Sequence, residues 1–360
     1  MNILSIGLDK KILDKTSENF QRQKEYAGLV DEYHVMIFGP KKEIQEGNLF
    51  VYGSGGRNKI SRFFKAYKKA RKILSNKDLS DWLITTQDPF FTGFLGYLLK
   101  ISFYIKLHVQ IHGLEKFYGL RKLLAKLVIS KADGFRVVSQ RLKKKLIDEF
   151  GVEENKITTV PIYTEITQKS IEKLQKSTEE KFVFLTVGRL VPIKNIEMQI
   201  LAFVEVNKKY PNTELWIVGD GPEKYKIQDT RNKIQKPVGI KLFGWQDNLE
   251  KFYQRADAFL LTSNYEGWGL VVIEAATYGL PIIMTDVGCA GEVIKNGESG
   301  IVIPIGDRKA LEGAMIKIIE DSELRKKLGQ GAQKAVKQLP SKQETLELYR
   351  KSWQTTLECE

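Results

Sequence analysis

Along this chain, short apolar runs rich in β-branched residues alternate with longer stretches whose apolar positions recur at helical spacing. The runs NILSIG, EYHVMIFG, WLITT, KLHVQIHG, GFRVVS and ITTVPIY predict the strands of the first half. FVFLTVG, ELWIVGD, IKLFGW, AFLLTS, PIIMTDVG and GIVIPI predict those of the second. A helix-like or polar stretch follows each, the alternation of parallel sheets covered by helices. After Tyr163 the segment TEITQKSIEKLQKSTEEK, rich in Thr, Lys and Glu, has no strand pattern and reads as a linker. The expectation is an α/β protein of two doubly wound domains, 1–168 and 169–340, with a C-terminal helix, 341–360, packing back toward the first domain. At 360 residues the chain also exceeds the size at which one core usually suffices, about 250–300 residues.

Composition narrows the class. Hydrophobic residues at 42% and charged residues at 28% exclude a disordered chain. Two cysteines, Cys289 and Cys359, are too few for a disulfide framework or a structural zinc site. The opening MNILSIGLDKK has an apolar run of strand length without a basic leader, so a cytoplasmic location is expected. The segment FFTGFLGYLLKISFYIKLHVQIHG is interrupted by Lys100 and Lys106, which makes it a buried helix followed by a buried strand rather than a membrane span.

The formal charge of +13 is lopsided: 29 basic against 18 acidic residues stand up to position 168, and 28 against 26 beyond it. It concentrates in Ser61–Leu74 and Leu114–Gly134, both patterned as amphipathic helices with cations on one side. Such a face could lie on an anionic membrane, at the inner side of the cell membrane, or could be a solvated face whose apolar side joins the core.

Ligands of doubly wound sheets bind beyond the carboxyl ends of the strands. In the second half those positions are Gly188, Arg189 and Lys194; Gly219, Asp220 and Gly221; Gly244 and Trp245; and Ser263 to Gly269. In the first half they are Gln87 and Asp88, and His112 with Gly113; two facing sheets would bring all of them into one cleft. In NYEGWGLVVIEAATYGLP the loop Glu266, Gly267, Trp268, Gly269 enters a helix that holds Glu274. Free N–H groups of Gly269 and Leu270 at that helix start suit a phosphate, and glycine lets it come close. A sugar nucleotide would match: a diphosphate for the helix start, a ribose diol for Glu274 and hexose hydroxyls for Glu266. In TVGRLVPIKN, Arg189 and Lys194 share one loop, with Asn195 as helix N-cap, so two cations can meet the charge that develops on a departing diphosphate. No Asp-x-Asp and no His/Cys cluster is present to hold a divalent ion, and a metal-independent reaction is therefore expected.

With these residues in view, the second half resembles the nucleotide-binding domain of retaining family 4 glycosyltransferases, which have the two-Rossmann-domain GT-B fold. VGRLVPIKN, LWIVGDGP, LFGW, TSNYEGWGLVVIEAATYGLPIIMTDVGCAGEVI and NGESGIVIP occur in that family's order across residues 180–310. The resemblance implies that Arg189 and Lys194 bind the diphosphate, Glu274 the ribose and Glu266 the donor sugar. It further implies that Gly269 and Leu270 offer backbone N–H groups, that Gly244, Trp245 and Gln246 lie against the base, and that His112 in QIHG faces the sugar. Trp268 stands where phenylalanine is commoner; it and Trp245 are sugar platforms or packing anchors. The glycine-rich opening turn of many members is missing from GLDKKILDKTSENFQRQ. Gly7 keeps part of its role, and Ser17, Asn19 or Arg22 could supply the rest. Asp88, ahead of Pro89, is an acceptor contact or the cap of the next helix.

The expected activity is a retaining transfer of a hexose from a nucleoside diphosphate sugar to a hydroxyl, on a lipid-linked glycan or glycolipid in cell-surface polysaccharide assembly. Alternatives are a catalytically silent sugar-nucleotide or glycan-binding protein of the same fold and a soluble glycosyltransferase for a small sugar. A nicotinamide oxidoreductase is excluded, since no Gly-x-Gly-x-x-Gly turn follows a strand.

Overall fold

The computed structural model describes residues 1–75, 77–114, 118–164, 181–233 and 239–359, so nearly all of the expected linker lies outside the described residues. The chain divides into two compact units, Met1–Pro161 with Pro340–Glu360, and Ile162–Leu339.

The first unit runs β1 (Asn2–Gly7), α1 (Glu18–Ala27), β2 (Glu32–Ile37), β3 (Lys42–Glu46), β4 (Leu49–Gly53), α2 (Lys59–Leu74), β5 (Trp82–Thr86), α3 (Phe91–Phe103), β6 (Lys106–Ile111), α4 (Gly119–Lys131), β7 (Gly134–Val137), α5 (Gln140–Phe150) and β8 (Ile157–Thr159). The strands pair in the order β3-β4-β2-β1-β5-β6-β7-β8. All pairs are parallel except β3 with β4. That antiparallel hairpin is absent from the pattern of apolar runs for a physical reason. In KEIQE only Ile44 is buried, because an edge strand keeps its charged side chains in water and so shows little apolar signal. By contrast, β1, β2, β5 and β6 are buried almost end to end, as strands covered on both faces must be.

The second unit runs β9 (Phe182–Val187), α6 (Ile196–Lys209), β10 (Thr213–Val218), α7 (Lys224–Asn232), β11 (Ile240–Gly244), α8 (Glu250–Arg255), β12 (Ala258–Leu261), α9 (Leu270–Thr277), β13 (Ile282–Thr285), β14 (Gly300–Ile303), α10 (Arg308–Glu320) and α11 (Ser322–Lys337). Its sheet, β11-β10-β9-β12-β13-β14, is parallel throughout. Phe184, Phe203, Leu215, Ile217, Leu260, Ile283 and Met315 fill its core.

The last helix, α12 (Lys342–Glu358), belongs to the first unit. Pro340 ends the preceding segment, and Ser341 with Glu344 closes a capping box that starts the helix. Tyr349 and Trp353 then join the core of the first unit beside Tyr26 and Tyr33. At Gly134 an added Cβ would lie 2.0 Å from Thr356 Oγ1, so glycine is what lets α12 settle on β7 there.

Candidate active site

Parallel strands deliver their following loops to one edge of the sheet, which gathers the turns after β9, β10, β11 and β12. After β9 the chain passes Gly188, the exposed Arg189 and a single 3-10 turn, Pro192–Lys194, before α6. Leu190 N–H donates to Asp220 O at 2.9 Å and Asn264 N–H to Ile193 O at 2.7 Å, which pins this loop to two of its neighbours. Arg189 makes no ion pair among the described residues, so its cation is open to a ligand. Asn195 stands at the N-cap of α6, but its side chain makes no cap bond. Its backbone is left-handed, φ 49°, and its amide reaches Asn264 Oδ1 at 3.4 Å instead.

Lys194 Nζ forms an ion pair with Glu266 Oε1, the two side chains being 21% and 14% exposed. Ser263 Oγ donates to the same oxygen at 2.7 Å. Both donors meet Oε1, which leaves Oε2 without a donor among the described residues and available to a ligand hydroxyl. Beneath them, buried Gln199 donates to Thr262 Oγ1 at 2.8 Å, and Thr262 Oγ1 donates to Lys194 O at 3.1 Å. This scaffold ties the two loops together. Its members are single polar letters inside apolar runs, and the sequence does not mark them out.

Glu266 and Gly267 are half-buried, and Gly269, at φ 95°, turns the chain into α9 in a conformation that other residues resist. The first intrahelical bond there runs from Val272 N–H to Gly269 O at 2.9 Å, so the N–H groups of Gly269 and Leu270 lie ahead of the helical ladder. One turn on, Glu274 Oε2 accepts from Tyr253 Oη–H at 2.7 Å. Burial pushes the Glu274 carboxyl up from its ordinary pKa, against the pull of that hydrogen bond.

Of the two readings open for Trp268, burial favours one. Its side chain is 2% exposed with Nε1 unpartnered, so it is a packing anchor and not a platform for the donor. Trp245 is 68% exposed, held by Nε1–H donating to Asp247 Oδ1 at 3.0 Å, and its ring face is open. Gln246 folds back, Nε2 donating to Phe243 O at 3.0 Å, and Gly244 accepts from Gly219 N–H at 2.7 Å.

In the first unit Gly7 closes β1 beside Gln87. Ser17 is taken up as the cap of α1, accepting from Phe20 N–H at 3.1 Å, and Asn19 donates to Asp9. The Ser17 hydroxyl and the Asn19 amide nitrogen are thus engaged within the chain, whereas Arg22 is exposed on α1. Asp88 Oδ1 accepts from Phe90 N–H at 2.7 Å, a turn that precedes α3 and is not its cap, since Phe90 holds the N-cap position without a side-chain bond. Burial raises its pKa. His112 is exposed just past β6, with Arg136 Nη1 at 3.4 Å from Nδ1. Its pKa is pushed down from the ordinary imidazole value by desolvation and by the nearby Arg136 and Arg22 charges. Among the described residues no group of three or more His, Cys, Asp or Glu side chains could hold a metal ion.

Comparison with known proteins gives this geometry its context. The family description "Glycosyl transferases group 1" matches residues 167–335. An uncharacterized glycosyltransferase of Methanocaldococcus jannaschii is 30% identical over 87% of this chain and 90% of its own length. The capsular polysaccharide biosynthesis glycosyltransferase CapM of Staphylococcus aureus is 29% identical over 61% of this chain and 60% of its own. Among solved structures, Anabaena HepE in complex with UDP and glucose superposes with a TM-score of 0.75 at 17% identity, covering 98% of each chain, which shows a shared GT-B fold. With a 30% identical relative aligned along nearly its whole length, this chain belongs to the glycosyl transferases group 1, enzymes that draw on a nucleotide sugar.

Proposed function

We propose that this enzyme is a retaining, metal-independent hexosyltransferase whose acceptor is a lipid-linked glycan or glycolipid of cell-surface polysaccharide assembly. The reading is supported by the Lys194–Glu266 ion pair beside the open start of α9, with Arg189 exposed on the same loop as Lys194 and Glu274 one turn deeper in α9. Arg189, Lys194 and the α9 N–H groups take up the charge that grows on the leaving diphosphate, the work a divalent ion does elsewhere. Glu266 Oε2 receives a hexose hydroxyl and Glu274 the ribose. As the bond from the anomeric carbon to the diphosphate oxygen breaks, the acceptor oxygen bonds to that carbon on the same face. The acceptor proton passes to the departing phosphate oxygen. The resemblance assigns His112 to the sugar, and its low pKa makes it a neutral hydrogen-bonding group at working pH.

The acceptor class is supported by the first unit's surface. A groove of about 870 Å³ beside α2 is lined by Lys41, Lys65, Lys68, Arg71 and Lys72. Phe64 of α2 and Leu120 and Leu123 of α4 are 64%, 62% and 66% exposed. Cations beside exposed apolar side chains fit the inner face of an anionic membrane. No helix among the described residues is long and apolar enough to cross a membrane.

The test is a thermal-shift screen of UDP, GDP, ADP and their hexose conjugates with chelator present. Ligand at a hundred times its dissociation constant stabilises the fold by about 2.7 kcal/mol. A shift from one nucleotide series, followed by hexose transfer to a membrane extract under chelator, supports the reading. Transfer that appears only when a divalent ion is restored overturns metal independence. Salt-sensitive co-sedimentation with anionic vesicles supports the membrane acceptor, and equal binding to neutral vesicles overturns it.

A further inference from the structure

Tyr253 on α8 has no part in the activity described so far. Its side chain is 2% exposed, its ring stacks on Tyr278 at 5.2 Å between centroids, and its hydroxyl donates to Glu274 Oε2 at 2.7 Å. Burial holds its phenol protonated far above the ordinary tyrosine range, so the group is a permanent donor. Among the described residues no other donor reaches Glu274. One oxygen is thus occupied, the carboxylate plane is fixed by a buried ring, and Oε1 is left as a single oriented acceptor.

We propose that Tyr253 is a positioning residue that sets the preference of this site for a ribonucleotide over a deoxyribonucleotide. The inference rests on the reading of Glu274 as the ribose contact. A hydroxyl-binding carboxylate discriminates only as far as it is left unpaired when the hydroxyl is missing. Clamped by Tyr253, Glu274 cannot turn Oε1 toward water or another donor, and the full cost of the missing hydroxyl is felt. With phenylalanine at 253 the carboxylate can rotate and recover solvation, so the deoxy ligand is rejected less strongly while the ribo ligand loses comparatively little.

The experiment measures dissociation constants of UDP, GDP and ADP against their 2′-deoxy counterparts for the full chain and for Tyr253→Phe, Glu274→Gln and the double variant. Phenylalanine preserves the ring and its stacking, and a melting curve checks the fold. Wild type should prefer the ribonucleotide by on the order of ten- to a hundredfold, the range for a hydrogen bond to a charged group. Tyr253→Phe should shrink that ratio several-fold, and it should shrink it no further in the double variant than Glu274→Gln does alone. An unchanged ratio in Tyr253→Phe, beside a lost ratio in Glu274→Gln, would overturn the role of Tyr253 and keep the ribose contact. Equal binding of ribo and deoxy ligands by wild type, or no binding of any of the three diphosphates, would overturn the donor-site reading itself and this inference with it.

Discussion

Replacing Glu266 by glutamine should tighten the binding of the nucleoside diphosphate while slowing transfer. In the free protein Lys194 is already engaged: its ammonium meets Glu266 Oε1, and Ser263 Oγ supports that oxygen at 2.7 Å. A diphosphate that needs Lys194 has to compete with this carboxylate and to approach its negative charge. At contact distance, with an effective dielectric near 20, such a pair is worth about 4 kcal/mol before desolvation is counted. The side chains are 21% and 14% exposed, so solvent and the cost of ordering remove much of that. About 1–2 kcal/mol should remain, or about five- to thirtyfold in affinity. Glutamine keeps the shape and the bond from Ser263, removes the charge and turns the free oxygen into an NH2 donor, so the sugar hydroxyl loses its acceptor. Titration calorimetry of the nucleotide that stabilises wild type, on both proteins with chelator present, gives the ratio, and a radiolabelled-sugar assay gives the turnover. The expected result is tighter product binding with turnover down by about a hundredfold, as for a lost transition-state contact. Equal or weaker binding by Glu266→Gln would refute the idea that Lys194 is held in reserve for the diphosphate.

Other outcomes follow from the same geometry. Arg189→Ala should lower turnover by about two to three orders of magnitude with an unchanged melting temperature, because the residue is exposed, makes no ion pair among the described residues and is proposed to meet the diphosphate; wild-type rates would remove it from the site. Glu274→Ala should chiefly raise the donor KM, with kcat little affected. Glu274→Gln should raise the melting temperature of the free protein at neutral pH. The folded-state pKa of Glu274 is raised, so its contribution to stability is present at low pH and lost as pH rises through that pKa. His108 is fully buried with a pKa pushed down to about 3 from 6.5, by burial first and the Arg136 charge second. Its contribution is present above pH 6.5 and lost as pH falls toward 3, about 3 kcal/mol by pH 4. Denaturation from pH 7 to 4 should show that slope in wild type and a flatter one in His108→Gln.

What the amino-acid sequence determined by itself was whatever is written in local pattern. Runs such as FVFLTV and WLITT are apolar at most positions and buried nearly end to end because their strands are covered on both faces, so the parallel strands of both sheets could be read from them. Arg189, Lys194, Glu266 and Gly269 can be picked out as candidates because each stands in a loop that follows a strand, where chemistry-bearing residues of such sheets collect, and Glu274 because its helix starts from that loop. Only the tertiary structure decided what depends on a partner distant in the chain. The edge hairpin β3–β4 lacks apolar density, since one side of it is water. For Trp268 the letters allow a sugar platform or a packing anchor, and only its burial in the fold separates the two. Ser17, Asn19 and Asp88 carry the same letters whether they bond to their own chain or touch a substrate; Ser17 is seen to cap α1, Asn19 to donate to Asp9 and Asp88 to hold a turn ahead of α3. Tyr253 lies 21 residues from Glu274, and Lys194 lies 72 from Glu266. Hydrogen bonds and ion pairs between such positions leave no periodicity in the chain, because their geometry is set by how strands stack side by side and not by how residues follow one another.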